Sequence, residues 1–271
     1  MSPTSIEDLA RQAVAGDRLA VAALVRQLQP GVYGLALRML WRREEAEDAT
    51  QEILVKVVTR LAQFDSRSSL RTWVYRVATN YLLDVKKSCV ERQQMSFASF
   101  GDDLADGLSL DGPTDGERSV LVEEVRIGCT FAMLQCLDRP HRIAYILGEI
   151  LDIPASEAAD ATEVDAATFR KRLQRARELV EAFTRRHCGL VSDEAACRCN
   201  RRVEAAVRAG RVTPGAPSFA RTAASFVEAR ALIRKVRELS RAAEVHRASN
   251  PQDSGHDYAR RVLAALEPFA D

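Results

Sequence analysis

The sequence predicts an all-α protein, and three observations carry that prediction. Apolar residues recur at spacings of three and four in nearly every periodic segment, the repeat of one helix face. Glycine and proline are sparse inside those segments and gather between them. The 271 residues are 46% apolar and 28% charged, enough to bury a core while keeping a charged surface. No run of eighteen apolar residues occurs, which rules out a transmembrane helix, and no membrane partner is expected. The opening MSPTSIEDLARQ lacks the basic-then-apolar layout of a secretory signal. Six cysteines spread through so long a chain do not frame a small secreted domain, so the expected location is the reducing cytoplasm.

Taken in order, Leu9, Ala13 and the stretch Leu19 to Leu28 predict the first helices, and Val32, Leu35, Ala36 and Leu40 predict another beyond a break at Pro30-Gly31. In 44–57, Glu44, Asp48, Gln51 and Glu52 share one helix face, with Ile53, Leu54 and Val57 on another. That polar face reads either as ordinary solvated surface or as an acidic docking surface for a basic partner. A polar loop, Phe64 to Leu70, leads into a helix where Trp73, Tyr75 and Tyr81 mix with Arg71, Arg76 and Asn80, with Lys86 and Lys87 following. Aromatics beside bases and amides suit unstacked single-stranded nucleotides, because each base offers a π-face and each nucleotide a phosphate. Trp73, Val77 and Tyr81 also stand at i, i+4 and i+8, and for Val77 and Tyr81 burial in the core is the expectation.

The stretch Gly101 to Gly116 is acidic, glycine-rich and without periodicity, which predicts a mobile linker. Beyond it, Glu157-Ala158-Ala159, Val164 and the run Ala167 to Leu173 predict a helix, a short turn and a second helix. Ala158 and Ala159 permit close packing, Val164 plugs the turn, and Leu173 faces inward. The outer face of the second helix carries Arg170, Lys171, Gln174, Arg175 and Arg177. Such a helix fits the DNA major groove, where Arg and Lys address guanine or phosphate and Gln addresses adenine; a solvated basic helix is the plainer reading. Two prolines in Arg211 to Ser218 mark a last break. The expected division is a helical domain over 1–95, an acidic flexible linker over 96–119, a helix-turn-helix domain over 120–187 and a helical extension over 188–271.

The net charge of +1 conceals strong segregation. Residues 96–124 hold eight acids, Asp102, Asp103, Asp106, Asp111, Asp115, Glu117, Glu123 and Glu124, against Arg118 alone. Residues 170–186 carry seven bases against two acids, and 198–247 twelve bases against four acids. Some faces are therefore built to meet phosphate, and the basic extension complements the acidic linker.

Two pairs of motifs carry a family resemblance. Asp48-Ala49-Thr50-Gln51-Glu52-Ile53 followed by Ser69-Leu70-Arg71-Thr72-Trp73-Val74-Tyr75-Arg76-Val77-Ala78-Thr79-Asn80 resembles region 2 of bacterial sigma factors of the extracytoplasmic-function (ECF) type. Leu137 to Ala144 and Thr168 to Arg177 resemble region 4 of the same family. The resemblance implies a region 2 bundle and a region 4 helix-turn-helix joined by a variable connector, acting as a promoter-specificity subunit and not as an enzyme. Carried over by position, Glu44, Asp48, Gln51 and Glu52 meet the β′ clamp of core RNA polymerase. Ser66, Arg67, Ser68, Ser69, Arg71, Trp73, Arg76 and Asn80 lie on or beside the opened −10 strand of promoter DNA. Thr168, Arg170, Lys171, Gln174, Arg175 and Arg177 read the −35 duplex, and region 4 touches the β flap. The family needs no cofactor for this activity, and an anti-sigma factor is a further implied partner. One departure stands out: the turn 162–166 carries Glu163 and Asp165 where the family has small or apolar residues and a glycine, which bears on turn geometry and −35 affinity. The alternative, a helix-turn-helix regulator acting without polymerase, leaves the 48–80 motifs unexplained.

The extension adds His187, Cys188, Cys197 and Cys199, one histidine and three cysteines within thirteen residues. That inventory suits a tetrahedral site for zinc or another metal. The C-x8-C-x-C spacing is not a standard zinc-finger spacing, and adjacent His187 and Cys188 need opposed side-chain directions. A redox thiol or disulfide switch and unconnected cysteines are the other readings. An enzyme built on the cluster lacks a general base, since His141, His246 and His256 have no motif around them. Cys129 and Cys136, i and i+7 in an apolar helix, are expected in the core, and Gly189 is expected as a helix C′ cap. Phe219, Ala223, Phe226, Ile233 and Val236 form one apolar stripe, Tyr258, Val262, Leu263 and Leu266 another; both need a surface to cover, on this chain or on another protein.

Overall fold

The structure, a computed structural model, describes residues 5–85, 94–109, 116–220, 231, 233–235, 241–249 and 254–266, with the side chains of 116–119 excepted. Lys86, Lys87, Asp111, Asp115, Ala223, Phe226 and Val236 lie outside the described residues, as do the side chains of Glu117 and Arg118. The described secondary structure is helical apart from one isolated β-bridge, Cys188 to Cys197. The helices are α1 Ile6–Val14, α2 Arg18–Leu40, α3 Arg43–Thr59, α4 Leu70–Asp84, α5 Phe97–Ala105 and α6 Gly116–Gln135. They continue with α7 Arg139–Tyr145, which runs into a π-helical turn Ile146–Ile150, then α8 Ala155–Ala161, α9 Ala166–His187, α10 Cys199–Arg208, α11 Arg241–Ala248 and α12 Tyr258–Leu266.

The chain forms two compact units, one of Met1–Ser88, Ile153–Arg170 and Asp253–Asp271, the other of Cys89–Asp152 and Lys171–Gln252. These differ from the division expected at 95, 119 and 187. The segments at 153–170 and 253–271 join the N-terminal helices because α8 packs on α4 and α12 packs on α2 and α3. The expected region 4 is thereby shared between the units, with the boundary falling inside α9.

In the first unit, side chains that accept orphan helix-end N–H groups start α1, α2 and α4. Ser5 accepts from Asp8 N at 3.1 Å, Asp17 from Leu19 N at 2.8 Å, and Ser69 from Thr72 N at 3.1 Å. The break expected at Pro30-Gly31 does not occur, and α2 runs through it. A proline inside a helix costs ~3 kcal/mol. Burial of each large aliphatic side chain returns ~1.5–3 kcal/mol. Leu24, Val25, Val32 and Leu35 are buried on both sides of Pro30, so a continuous helix keeps more burial than a break would. Tyr258 and Val262 of α12 complete this core, the surface their stripe required.

In the second unit the first half of the expected linker is helix. A reciprocal cap starts α5, with Ser96 Oγ accepting from Ser99 N and Ser99 Oγ from Ser96 N, both at 3.1 Å. Phe100 and Leu104 are buried, and Phe97 and Phe100 each meet the Phe183 ring of α9 at 5.2 Å between centroids. Charge holds the rest. Buried Arg202 of α10 donates to the Asp103 carbonyl at 2.8 Å and to its carboxylate at 3.1 Å, and Arg211 donates to the same carboxylate at 2.6 and 2.8 Å. The Arg211 hydrogen bond holds the Asp103 carboxyl below the usual carboxylate range. The basic extension and acidic 96–124 stretch therefore do meet. The acidity that reads as disorder in isolation is the complement of a basic partner 99 residues further on.

Candidate nucleic-acid interface

On α3 the expected docking residues take their predicted face. Glu44, Asp48 and Glu52 are exposed and Gln51 is half-buried. The reason Gln51 differs is α12, whose Arg261 donates to Gln51 Oε1 at 3.3 Å. Just before it, His256 Nε2 meets Glu47 Oε2 at 2.7 Å, and Arg43 donates to the Ser254 carbonyl at 2.6 Å. The C-terminal helix thus lies along one flank of α3 and leaves the other acidic residues in solvent.

The loop before α4 is exposed at Ser66, Arg67 and Ser69, with Ser66 in the left-handed region at φ 60°. Arg67 is paired to Asp65, and Ser69 is occupied as the α4 cap. On α4, Leu70, Val74, Ala78 and Leu82 are the core stripe. Val77 and Tyr81 are not core, contrary to expectation: both are half-buried and line a cavity of about 420 Å³ with Trp73, Arg76 and Asn80. The stripe is rotated from the 73-77-81 row because 70, 74, 78 and 82 are the more apolar row. Lys56, Arg60 and Gln63 form another part of the wall, with Lys56 Nζ 5.9 Å from the Tyr81 ring centre, and the Phe64 ring stands 5.8 Å from Trp73. The cavity lies in the ~300–1,000 Å³ range of small-molecule sites, and its walls combine π-faces, two amides and cations with two acidic residues, Asp84 and Glu163. No residue of α3 or the turn after it was expected here, since their part in it arises from packing of α3 on α4.

One candidate on α4, Arg76, and the nearby Thr72 already have partners in α8. Thr72 Oγ1 donates to Glu157 Oε2 at 2.5 Å, and the Arg76 guanidinium is paired with the Asp160 carboxylate. Arg71 is exposed.

A helix, a short turn and a second helix stand where expected, as α8 and α9. Ala158, Ala159 and Leu173 are buried, and Val164 is half-buried. The two unexpected acids have local tasks. Glu163 takes the left-handed conformation at φ 51°, where a glycine would serve. Asp165 caps α9, accepting from Ala167 N and Thr168 N at 2.9 Å and from Thr168 Oγ1 at 2.6 Å. Those Thr168 and backbone bonds lower the Asp165 pKa. Arg170, Lys171, Gln174 and Arg175 are exposed, with Gln174 donating to Glu178 at 3.1 Å. Arg177 is exposed but held by Glu149, to which its Nε donates at 2.6 Å.

The cysteine cluster departs from expectation in membership. Cys188, Cys197 and Cys199 line one cavity of about 30 Å³, and the fourth cysteine there is Cys129 of α6, not a core residue apart. His187 is not among the lining residues: its ring packs on Phe183 at 4.8 Å, and a side chain at Gly101 would meet it at 3.0 Å. Adjacent residues at the end of α9 cannot both face that cavity, and the cysteine takes the place. Burial pushes the Cys197 thiol up to about 12 and raises those of Cys129, Cys188 and Cys199. Gly189 has no positive φ and is not a left-handed cap. It admits close approach instead, since a Cβ there would lie 2.4 Å from the Cys197 carbonyl oxygen.

Residues 24–88 match the Sigma-70 region 2 family. The chain is 27% identical over 177 residues to the RNA polymerase sigma-H factor of Pseudomonas aeruginosa, covering 65% of this chain and 91% of that one. It is 27% identical over 181 residues to the ECF RNA polymerase sigma factor SigW of Bacillus subtilis, covering 62% and 90%. A solved structure, CnrH in complex with the cytosolic domain of CnrY, aligns at a TM-score of 0.43 and 20% identity over 64% of this chain and 93% of that one. The matched segment takes in α3, α4 and α2 from residue 24 on, so the N-terminal unit carries the region 2 match. Over 62% of its length the chain is similar to a sigma factor of the ECF type. Among the described residues no helix is long and apolar enough to cross a membrane.

Proposed function

We propose that this chain directs core RNA polymerase to specific promoters and helps to open the −10 element, acting by recruitment and strand opening without covalent chemistry. One observation supports it most. A single compact unit carries both the exposed acidic side chains of α3 and the cavity beside α4, where Trp73 and Tyr81 stand with Lys56, Arg60 and Arg76. Glu44, Asp48, Gln51 and Glu52 dock on the β′ clamp. Trp73, Arg76 and Asn80 hold unstacked −10 bases, with Ser66 to Ser69 and Arg71 at the rim. Arg170, Lys171, Gln174 and Arg175 address the −35 duplex, and region 4 meets the β flap. An anti-sigma factor is a further proposed partner, and transcription itself requires no cofactor from this chain.

Transcription in vitro from cognate promoters with core polymerase tests the reading. Asp48→Ala combined with Glu52→Ala should weaken core binding without loss of fold, because both side chains are exposed. Unchanged core affinity in a pull-down overturns the docking assignment. Duplex binding without any polymerase-dependent transcript would favour the helix-turn-helix regulator instead.

A further inference from the structure

We propose that Cys129, Cys188, Cys197 and Cys199 are the four ligands of one thiophilic d10 divalent cation of the zinc class. The backbone aims three of them. Cys188 and Cys197 are partners across the β-bridge, where Gly189 N donates to the Cys197 carbonyl at 3.0 Å. Bridged residues stand side by side at about the ~4.8 Å spacing of paired strands. Arg198 is extended, at φ −129° and ψ 135°, so Cys197 and Cys199 project to the same side. The fourth comes from α6, which packs on α10. Three separate segments thus bring thiols to one cavity of about 30 Å³, the scale of a single ion or water.

The surroundings select the class of ion. Leu104, Val125, Met133 and Phe183 form the rest of much of the wall, and no carboxylate or imidazole lines it. Four sulfurs without oxygen donors suit zinc and disfavour magnesium or calcium. On binding, four thiols release four protons to solvent and four thiolates surround one divalent ion, leaving a centre of net charge −2. Two arginines stand beside that charge: Arg202 lines the cavity while it also pairs with Asp103, and Arg198 Nη1 donates to the Cys197 carbonyl at 3.0 Å. Among the described residues no three such side chains are grouped closely enough to hold an ion as they stand. Rotation between staggered χ1 wells carries a sulfur about 3 Å, so the ion gathers its ligands by side-chain rotation.

The test uses the full chain, purified under reducing conditions and dialysed against zinc or cobalt(II) alone. One equivalent per chain should remain, and the cobalt form should give thiolate charge-transfer absorption with the visible bands of a tetrahedral all-sulfur site. That spectrum needs no variant. Cys129→Ser should weaken binding by more than about 100-fold, beyond the loss typical of an outer-shell partner, whereas His187→Ala should leave it unchanged. Absence of bound metal, an octahedral cobalt spectrum, or equal loss in His187→Ala overturns the proposal. Disulfide formation in place of metal uptake also overturns it, in favour of a thiol switch. None of these readouts depends on transcription, so the proposal stands or falls apart from the proposed function.

Discussion

The helices α4 and α9 both carry cations and amides on the faces proposed for nucleic acid, yet their own surroundings treat them differently. On α4, Arg76 and Thr72 are bound by the Asp160 and Glu157 side chains of α8, and Trp73 lies half-buried at the edge of a cavity. On α9, Arg170, Lys171, Gln174 and Arg175 face solvent, and only Arg177 is held across the unit, by Glu149. A helix that reads duplex DNA from outside must keep its face clear. A helix that receives bases removed from the stack needs walls, and walls bring polar neighbours that compete with the ligand. The same residue types therefore begin from different states: α9 is open, while in the proposed role Arg76 of α4 exchanges a carboxylate for a phosphate.

The largest expected effect falls on the walled site. Trp73→Ala should leave promoter recruitment near normal and reduce opening by about ten- to a hundredfold, as loss of a base–aromatic stack costs ~1–3 kcal/mol. Permanganate reactivity of thymines near the start site reads this, and equal melting would remove Trp73 from the −10 role.

On the open helix, Arg170→Ala should cost about tenfold in duplex affinity, within the ~1–3 kcal/mol of a good base contact. Arg177→Ala should cost much less, because Glu149 already holds that guanidinium. Titration of the −35 duplex decides it, and equal losses would erase the distinction between free and held arginines on α9.

A smaller and opposite effect is expected from Asp160→Asn. It frees Arg76 from a partly exposed pair worth ~0.2–1 kcal/mol, so single-stranded −10 DNA should bind up to about fivefold more tightly. A loss of affinity would mean that Asp160 positions Arg76 rather than competing for it.

The smallest concerns the α9 start. Asp165 has its pKa lowered by hydrogen bonds from Thr168 and the backbone, so its cap is complete above the ordinary value of 3.8 and fades as pH falls through the lower folded value. Amide exchange at Ala167 and Thr168 should quicken over that acidic range only. Quickening already near neutrality would place the cap elsewhere.

Much of the candidate interface was legible in the chain. Helical periodicity marked α3, α4, α8 and α9, and the exposed faces carrying Asp48, Arg170 and Lys171 are where their spacing put them. Three local readings failed for one reason: each weighed a segment alone. Pro30 looked like a break, yet α2 continues because apolar residues on both sides are buried together. The acidic 96–119 stretch looked mobile, yet α5 forms because Phe183 and Arg202 receive it. Val77 and Tyr81 looked like core, yet the competing row from Leu70 to Leu82 is more apolar and takes the inner face.

By itself the sequence determined the helices, their polar and apolar faces and the family motifs, because a helix is made by hydrogen bonds between residues four apart and its faces follow from a 3.6-residue period. Only the tertiary structure decided the partners: Asp160 for Arg76, Arg261 for Gln51, and Cys129 in place of His187 beside the other cysteines. Those pairings join positions 84, 210 and about 60 residues apart. No local period encodes them, since they depend on which helix faces the packing of a whole core turns toward each other.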